Sequence, residues 1–395
     1  MHGLRRPLLI FAASRLLVAL AAYLAVALLG HSIALGPGAY HLRGTENVLL
    51  DVFGSRWDTG FYVSIVEEGY RFEGVQLPSV AFFPLLPLLM RLLLPLVGDA
   101  VIAGLLVANG ALLFASLLFY RLVAMQWGES LAERALWYLL IFPTAFFGSA
   151  IYSESLFLLA AIGALYSARR GRWGIAAVFA FGAGLARLVG LIVAPMLLLE
   201  WLRQRRAAAG EPATVGPPGR LQATPTAIAA TLAAVLAAPA GLLAYMAYLW
   251  RDFGDPLAFA HAAAAWERQP RPPGETLVAL LRPPPGGWLQ ALRAGALPLN
   301  DWFDLGIVLF FLATAFMLLY RQQWVEGLFV WLGVMLPISS GLLMSQRRYV
   351  WVLFPVYVLL ARWGRRPWAD RLITALFLSL QVLFIVLFAN GYWVG

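Results

Sequence analysis

Five short polar clusters interrupt an otherwise apolar sequence, and their side chains are the candidates for chemistry. The clusters are Arg56-Trp57-Asp58, Tyr152-Ser153-Glu154-Ser155, Arg187, Gly254-Asp255-Pro256 followed by Trp266 and Arg268, and Gln346-Arg347-Arg348-Tyr349. Carboxylates of this kind can accept a proton, and arginines bind phosphate or carboxylate oxygens through paired hydrogen bonds. There is no cysteine, and the four histidines show no ligand spacing, so no metal site is predicted.

Asp58 has two interpretations that are compatible with each other. The segment SRWD is a capping box, with Ser55 as the N-cap and Asp58 at the third helical position. The helix that follows has one apolar side and one polar side, which suits a helix lying in the membrane surface. Spacing alone favours the capping role over a catalytic one.

The other clusters also have structural interpretations. Ser153 is a candidate N-cap, and Glu154 would then favour the positive end of that helix. Asp255 belongs to an ordinary Gly-Asp-Pro turn. Arg347 and Arg348 form a pair that suits either an anionic ligand or anchoring at the membrane interface. The Gly-Ala-Gly of residues 182–184 indicates close helix packing rather than dinucleotide binding.

Composition indicates the elements that must position these residues. The chain is 62% hydrophobic and 12% charged, with a mean hydropathy of +0.78, so most of it is predicted to lie in a bilayer. We predict one integral membrane domain over 1–395, an all-α bundle of about 11 transmembrane helices. The predicted spans are 8–30, 100–120, 135–150, 153–168, 174–186, 188–200, 224–250, 302–320, 324–343, 349–362 and 371–390.

All 29 basic residues are arginines, and they gather in short segments between the apolar spans. With the N-terminus in the cytoplasm, these segments follow the positive-inside rule, so the charge indicates membrane orientation and no nucleic-acid partner. This topology places all five polar clusters on the extracytoplasmic side. It also places two large loops there, 31–99 with interfacial or re-entrant helices and 251–301.

Two segments do not fit a simple span. Residues 81–98 are apolar, but three prolines and Arg91 favour a re-entrant or interfacial element over a crossing. Residues 174–200 are too long for one ordinary helix. They are predicted to form a tight helical hairpin with Arg187 at its outer apex, and one long tilted helix is the alternative.

An ordered set of segments resembles PIG-V-type mannosyltransferases and their prokaryotic relatives, within the wider GT-C glycosyltransferases. The segments are RWDTGFYVSIVEEGY, AFFPLLPLL, FPTAFFGSAIYSESLFLL, ARLVGLIVAP, GDPLAFAHAAAAW and SQRRYVWVLFP. They extend over about 50–360, and WD…GY with FFP and YSESLF is their most characteristic part. The resemblance implies a GT-C-like bundle that uses a polyprenyl-phosphate sugar as donor, with an acidic residue in the first extracytoplasmic loop.

Carried onto this sequence, the resemblance implies that Asp58 is the acidic residue and acts as general base. The expected donor-phosphate residues are Arg347, Arg348, Arg187 and Tyr349. The expected acceptor or pocket residues are Trp57, Tyr62, Tyr152, Glu154, Asp255 and Trp266. No cofactor is predicted, and the lack of an Asp-x-Asp motif in the first loop leaves a divalent-cation requirement open.

The predicted function is transfer of mannose, or a related hexose, to a hydroxyl of a lipid-linked or cell-envelope acceptor. The expected partners are the bilayer, the lipid-linked donor and a glycolipid or envelope acceptor, at the outer side of the cell membrane. The main alternative is a transporter or flippase of an anionic glycolipid. Such proteins commonly hold ionisable groups near the midplane and show two related halves, neither of which this sequence displays.

Overall fold

The regular structure of the chain is helical throughout the residues described by the computed structural model, 4–29, 47–75, 77–209, 225–279 and 281–395. The helices are α1 (Arg5–Leu29), α2 (Val48–Gly54), α3 (Thr59–Glu68), α4 (Leu85–Val97), α5 (Ala100–Trp127), α6 (Glu129–Ile141), α7 (Glu154–Arg169), α8 (Trp173–Ala186), α9 (Val193–Ala208), α10 (Pro225–Phe253), α11 (Ala258–Ala262), α12 (Pro273–Ala279), α13 (Gly287–Arg293), α14 (Leu299–Tyr320), α15 (Trp324–Ile338), α16 (Gln346–Trp351), α17 (Pro355–Trp363) and α18 (Pro367–Ala389). The all-α prediction is confirmed. Residues 31–46 of the predicted first loop lie outside the described residues.

Five of the described helices, α1, α5, α10, α14 and α18, are long and apolar enough to cross a membrane. The chain is therefore a multi-pass membrane protein. The shorter apolar helices include α4, α8 and α15. The predicted count of about 11 spans is not confirmed, because several predicted spans are short or broken helices.

The break after α6 shows how such interruptions are stabilised. Pro143 lacks an N–H and disfavours helical geometry in the residue before it, so α6 ends at Ile141. The freed carbonyls are bound by side chains from other helices. Arg15 donates to the Leu140 carbonyl over 3.0 Å, and Gln381 donates to the same oxygen over 3.1 Å. Such partners are needed because unpaired backbone groups are costly inside a bilayer.

The 174–200 segment forms two helices with a break at Arg187, whose backbone is extended. Arg187 pairs with Glu154 at the start of α7, whereas Glu200 of α9 pairs with Arg169 at the end of α7. Helices α8 and α9 therefore run in opposite directions along α7. The predicted hairpin is confirmed, and the single long helix is wrong.

The Gly-Ala-Gly segment of α8 packs closely against α10. A Cβ atom on Gly184 would lie 2.1 Å from the Ala238 carbonyl oxygen, so no side chain fits there. Gly241 of α10 makes the reciprocal approach, since its Cβ would lie 2.4 Å from the Phe181 carbonyl oxygen. The prediction of close helix packing is confirmed for Gly184, whereas a Cβ on Gly182 would meet only the Leu85 side chain of α4, at 3.8 Å.

A buried ion cluster joins α7, α9 and α15 at the end of the bundle where α7 finishes. Arg169 binds Glu200 over 3.2 Å and Glu326 over 2.6 Å. The side chains of Arg169 and Glu200 are 3% and 0% exposed. Breaking a buried pair leaves an uncompensated charge, so this cluster holds the three helices together at that end.

Segment 81–98 contains helix α4, which is 13 residues or about 20 Å long. Leu88, Leu92 and Leu96 form an exposed apolar stripe along it. Arg91 points the other way and donates to the carbonyls of Ile65 and Val66 at the end of α3, over 2.7 and 3.1 Å. The polar side chain that argued against a span is therefore bound by protein. Re-entrant placement in the membrane remains a prediction.

Candidate active site

A cavity of about 990 Å³ opens at the opposite end of the bundle from the Arg169 cluster. It is bordered by the segment between α2 and α3, the start of α7, the α8–α9 break, the residues after α11, the end of α15, the start of α16 and the residues after α18. Each of the five predicted clusters lies at this end, and each contributes at least one residue to the cavity lining. The convergence predicted from topology is therefore present in the fold.

Asp51 fixes the turn that carries Trp57 and Asp58. The Ser55 hydroxyl donates to the Asp51 carbonyl and carboxylate over 2.7 and 2.8 Å, and Arg56 donates to the same carboxylate over 2.7 Å. Ser55 thus ends α2 instead of beginning α3. The predicted capping box is wrong, because Asp58 makes no side-chain capping bond to α3.

The Asp58 carboxylate instead lines the cavity and binds Arg348, whose Nη1 donates to Oδ2 over 2.7 Å. The Asp58 side chain is 24% exposed, and no other described side chain bonds this carboxylate. Its backbone N–H donates to the Tyr152 hydroxyl over 3.3 Å. Asp58 is therefore held in place while one carboxylate oxygen remains available to a ligand.

Trp57 adopts an unusual backbone conformation beside this carboxylate. Its φ of 57° lies in the left-handed region, which non-glycine residues seldom occupy. Its indole lines the cavity and is 39% exposed. Strain of this kind persists where surrounding contacts enforce it, commonly at functional sites.

Glu154 begins α7 and is buried, with 1% exposure. Its Oε1 pairs with Arg187, and the Arg348 Nε lies 3.2 Å away. Ser153 occupies the N-cap position as predicted, but its side chain makes no capping bond. Glu154 therefore draws two arginines together at the cavity wall, and it also occupies the positive end of α7 as predicted.

Two tyrosines near these carboxylates are protonated at neutral pH. Burial, followed by the charge of Glu154, raises the pKa of the Tyr62 phenol above its ordinary value. Burial, followed by the charge of Asp58, raises the pKa of the Tyr152 phenol well above its ordinary value. Both hydroxyls therefore keep a proton to donate, and that of Tyr152 lies 3.4 Å from the Arg56 carbonyl oxygen.

Three arginines surround the ring of Tyr349. The guanidinium carbons of Arg187, Arg348 and Arg268 lie 4.8, 5.2 and 5.7 Å from the ring centroid. Arg268 also donates to the Ser340 hydroxyl over 2.8 Å and to the Tyr349 hydroxyl over 3.3 Å. This arginine cluster is a compact region of positive charge within the cavity.

The cavity carries a surplus of positive charge. The charged side chains that line it are Arg56, Asp58, Glu154, Arg187, Arg268 and Arg348. Arg56 pairs with Asp51, and Arg187 and Arg348 share the carboxylates of Glu154 and Asp58. Within the described part of the chain, Arg268 has no carboxylate partner. An anionic group bound beside Arg268 would complete the pairing.

Arg347 and Asp255 were expected at the site, but neither lines the cavity. Arg347 is buried and donates from Nε to Asp304 of α14 over 2.8 Å. The Asp255 carboxylate accepts from the Leu257 N–H over 2.9 Å and pairs with His261 over 2.6 Å. Both side chains are engaged in holding local structure, so we assign neither to ligand binding.

Aromatic residues form an apolar wall next to the charges. Phe61 stacks on Phe82 with ring centroids 4.5 Å apart, and Trp266 meets both rings edge-on at 5.8 Å. Tyr62 contacts Phe82 at 5.2 Å. The predicted pocket residues Trp266 and Tyr62 therefore lie on this wall, together with the first-loop segment that carries Asp58.

Sequence reasoning missed two residues that shape the site. Asp51 lies in α2, and its spacing of four and five residues from Ser55 and Arg56 was the available signal. Trp393 follows α18 and lines the cavity, but it stands in no polar cluster. Among the described residues, no group of three or more histidine, cysteine or acidic side chains is arranged to hold a metal ion.

The family model described as Mannosyltransferase (PIG-V) matches residues 11–253. The chain belongs to this family. Asp58, Glu154 and Arg187 all fall within the matched residues, whereas Arg268 and Arg348 lie beyond them. The family resemblance predicted from the ordered segments is thereby confirmed.

Two relatives show how far the similarity to characterised members extends. GPI mannosyltransferase 2 of Chaetomium globosum is 32% identical over 229 residues, 49% of this chain and 47% of that protein. GPI alpha-1,6-mannosyltransferase 2 of Mus musculus is 35% identical over 158 residues, 36% of this chain and 31% of that protein. The match thus spans less than half the length of each relative.

Among solved structures, the chain has a distant likeness to the Archaeoglobus fulgidus oligosaccharyltransferase. The apo form gives a TM-score of 0.43 at 14% identity, covering 97% of this chain and 56% of that one. The complex with zinc and sulfate gives a TM-score of 0.41 at 14% identity, covering 96% and 53%.

Proposed function

We propose that this protein transfers mannose, or a related hexose, from a polyprenyl-phosphate carrier to a hydroxyl of a lipid-linked or cell-envelope acceptor. One observation carries the proposal: a carboxylate with an available oxygen and a cluster of arginines with surplus charge border the same large cavity. Family membership supports the choice of a sugar as the transferred group.

Asp58 is the general base in this proposal. Its carboxylate takes the proton of the acceptor hydroxyl as that oxygen forms its bond to the anomeric carbon of the donor sugar. A base must reach the proton directly or through one water, and the exposed Asp58 oxygen meets that requirement from the cavity wall. Glu154 is buried and paired with arginines, so direct displacement by the acceptor is favoured over a covalent intermediate.

The arginine cluster stabilises the departing phosphate. The donor is a phosphodiester with one negative charge, and cleavage of the bond to the sugar leaves a polyprenyl phosphate with more charge. Arg268 and Arg187 supply donors where that charge develops, and Arg348 lies between them and the base. Phosphate binding to Arg348 would also weaken its hold on Asp58 and free that carboxylate for the acceptor hydroxyl.

The proposal is tested by incubating the purified protein with a panel of polyprenyl-phosphate sugars and a lipid extract as acceptor. Mass spectrometry of the lipid fraction should show one new species heavier by a single hexose, together with free polyprenyl phosphate. Donor alone should be hydrolysed slowly to sugar and polyprenyl phosphate. Recovery of intact donor under all conditions would contradict a transferase.

We also propose that the cavity faces the extracytoplasmic side. Arginines gather at the opposite end of the bundle, near the end of α7 and the end of α17, which fits the positive-inside rule. The same orientation puts the N-terminus in the cytoplasm and gives a lipid-linked donor access from the outer leaflet.

The absence of cysteine from the sequence makes this orientation directly testable. Glu73→Cys and Glu275→Cys place exposed thiols at the cavity end, and Arg172→Cys and Arg365→Cys place them at the other end. A membrane-impermeant maleimide should label the first pair on intact cells and the second pair only after permeabilisation. Labelling of the second pair alone on intact cells would reverse the orientation.

A further inference from the structure

Trp393 completes the cavity wall from a distant part of the sequence. It follows α18, and its indole lies edge-on to that of Trp57 with ring centroids 5.2 Å apart. The guanidinium carbon of Arg348 lies 5.1 Å from the Trp393 ring. Trp393 therefore touches both the residue that precedes Asp58 and the arginine that binds it.

The indole N–H of Trp393 has no partner among the described residues, although the nitrogen is buried. Buried tryptophan N–H groups usually find an acceptor, so an unpaired one calls for an explanation. The indole nitrogen can only donate. Because Trp393 lines the cavity, an oxygen of a bound ligand can serve as the missing acceptor.

We propose that Trp57 and Trp393 form the subsite for a pyranose ring of the acceptor, which makes Trp393 a specificity-determining residue. This inference rests on the proposed function. A pyranose has an apolar face of C–H groups and a rim of hydroxyls. The exposed indole of Trp57 supplies a flat apolar surface for the C–H face, and Trp393, edge-on to it, supplies an N–H donor for the rim.

The position of the pair assigns it to the acceptor rather than to the donor. The donor phosphate belongs with Arg187 and Arg268 at Tyr349, whereas Trp393 makes its ring contacts with Trp57 and Phe147. Trp57 and Asp58 both line the cavity, so a ring held on this indole can present a hydroxyl to the base.

Transfer to the bound ring forms one bond and breaks one. The acceptor oxygen bonds to the donor's anomeric carbon as that carbon's bond to the phosphate oxygen breaks. The acceptor proton passes to Asp58, and the bonding electron pair leaves with polyprenyl phosphate.

Two synthetic acceptors test the subsite in transfer assays with polyprenyl-phosphate mannose. Octyl α-mannopyranoside carries a pyranose, and 1-O-octylglycerol carries hydroxyls on the same alkyl chain without a ring. Trp393→Ala should lower kcat/KM for the mannoside about tenfold more than it lowers kcat/KM for octylglycerol. Trp393→Phe keeps an aromatic face but lacks the N–H, so its loss should be smaller.

Trp368→Ala is the matched control, because Trp368 lies at the other end of α18 and is 63% exposed. It should leave both acceptors unaffected. Equal kcat/KM for the mannoside in the parent, Trp393→Ala and Trp393→Phe proteins would overturn the subsite. A raised donor KM, or an equal loss with both acceptors, would also overturn it, since Trp393 would then act through Arg348.

A binding measurement separates this inference from the proposed function. Saturation-transfer difference NMR with methyl α-mannopyranoside, on protein in lipid nanodiscs, needs no turnover. Ring-proton signals should appear with the parent protein and with Trp368→Ala, and should be lost with Trp393→Ala. Absence of donor cleavage by the parent would count against the proposed transfer alone, whereas absence of mannoside signals would count against the subsite.

Discussion

Replacing Asp58 with asparagine should lower the rate of sugar transfer by about 10²-fold or more, because general-base catalysis typically contributes 10²–10⁴. Asparagine has the size of aspartate and can still accept a hydrogen bond from Arg348. It cannot take the proton of the acceptor hydroxyl. Arg348 keeps Glu154 as a charged partner and Asp58 does not cap α3, so the exchange should cost little stability.

The measurement is single-turnover transfer with donor and acceptor both saturating, alongside the melting temperature of the same preparation. Asp252→Asn is the matched control, since Asp252 lies at the same end of the bundle but pairs with Arg251 on the surface. That variant should transfer at the parental rate. Near-parental turnover by a well-folded Asp58→Asn protein would refute the assignment of the base.

Replacing Arg268 with glutamine should raise the KM for the polyprenyl-phosphate donor by about tenfold or more, since a hydrogen bond to a charged group contributes about 1.5–3 kcal/mol. Arg268 has no carboxylate partner among the described residues, so removing its charge leaves no acid unpaired. The melting temperature should therefore change little. Arg268→Lys should restore donor binding only in part, because lysine keeps the charge but loses the planar fork.

Arg347→Gln provides the contrast. This change breaks the buried pair with Asp304, so it should lower the melting temperature while the folded fraction keeps its donor KM. Steady-state kinetics across a range of donor concentrations, with the active fraction determined by burst amplitude, distinguishes the two effects. An unchanged donor KM in Arg268→Gln would contradict the assignment of Arg268 to donor binding. A raised donor KM in Arg347→Gln would contradict the structural role of Arg347.

The long helices could be predicted because an uninterrupted apolar run of sufficient length is enough to indicate a membrane-spanning helix. Runs such as 100–120 and 371–390 have nothing to interrupt them, and they form α5 and α18. The predicted span 349–362 differs, because α16 ends at Trp351 and a separate helix, α17, begins at Pro355. Pro355 marks this break, but the proline does not predict that the Tyr357 hydroxyl binds the Trp351 carbonyl, over 2.9 Å.

The different positions of Arg347 and Arg348 show what the sequence could not predict about the site. Successive helical residues point about 100° apart, so two neighbouring arginines need not face the same cavity. The start of α16 decides which of the two arginines lines the cavity. Its first turn follows Ser345, which has a φ of 76°, and Asp304 of α14 fixes Arg347. Neither fact can be read from the arginine pair itself.

The SRWD segment illustrates a different limit. The same letters satisfy a capping pattern, and the pattern failed because Asp51 competes for the Ser55 hydroxyl. A local motif does not reveal a partner four residues upstream. Because Ser55 bonds Asp51 and ends α2, the Asp58 carboxylate takes no part in a capping box and faces the cavity.

The Arg169 cluster has a mechanical consequence for the cavity. The three helices that it pins, α7, α9 and α15, are the ones whose other ends border the cavity, at Glu154, at the break before α9 and at Pro337. Separating them at the pinned end would strip buried charges of their partners, and the Glu154–Arg187 pair likewise holds α7 to the α8–α9 break at the cavity end. Glu326 is the one charged residue of α15, so this helix has no ion pair at its cavity end. Any widening to admit a lipid-sized substrate therefore costs least as a pivot of α15 about Glu326, with the largest displacement at Pro337.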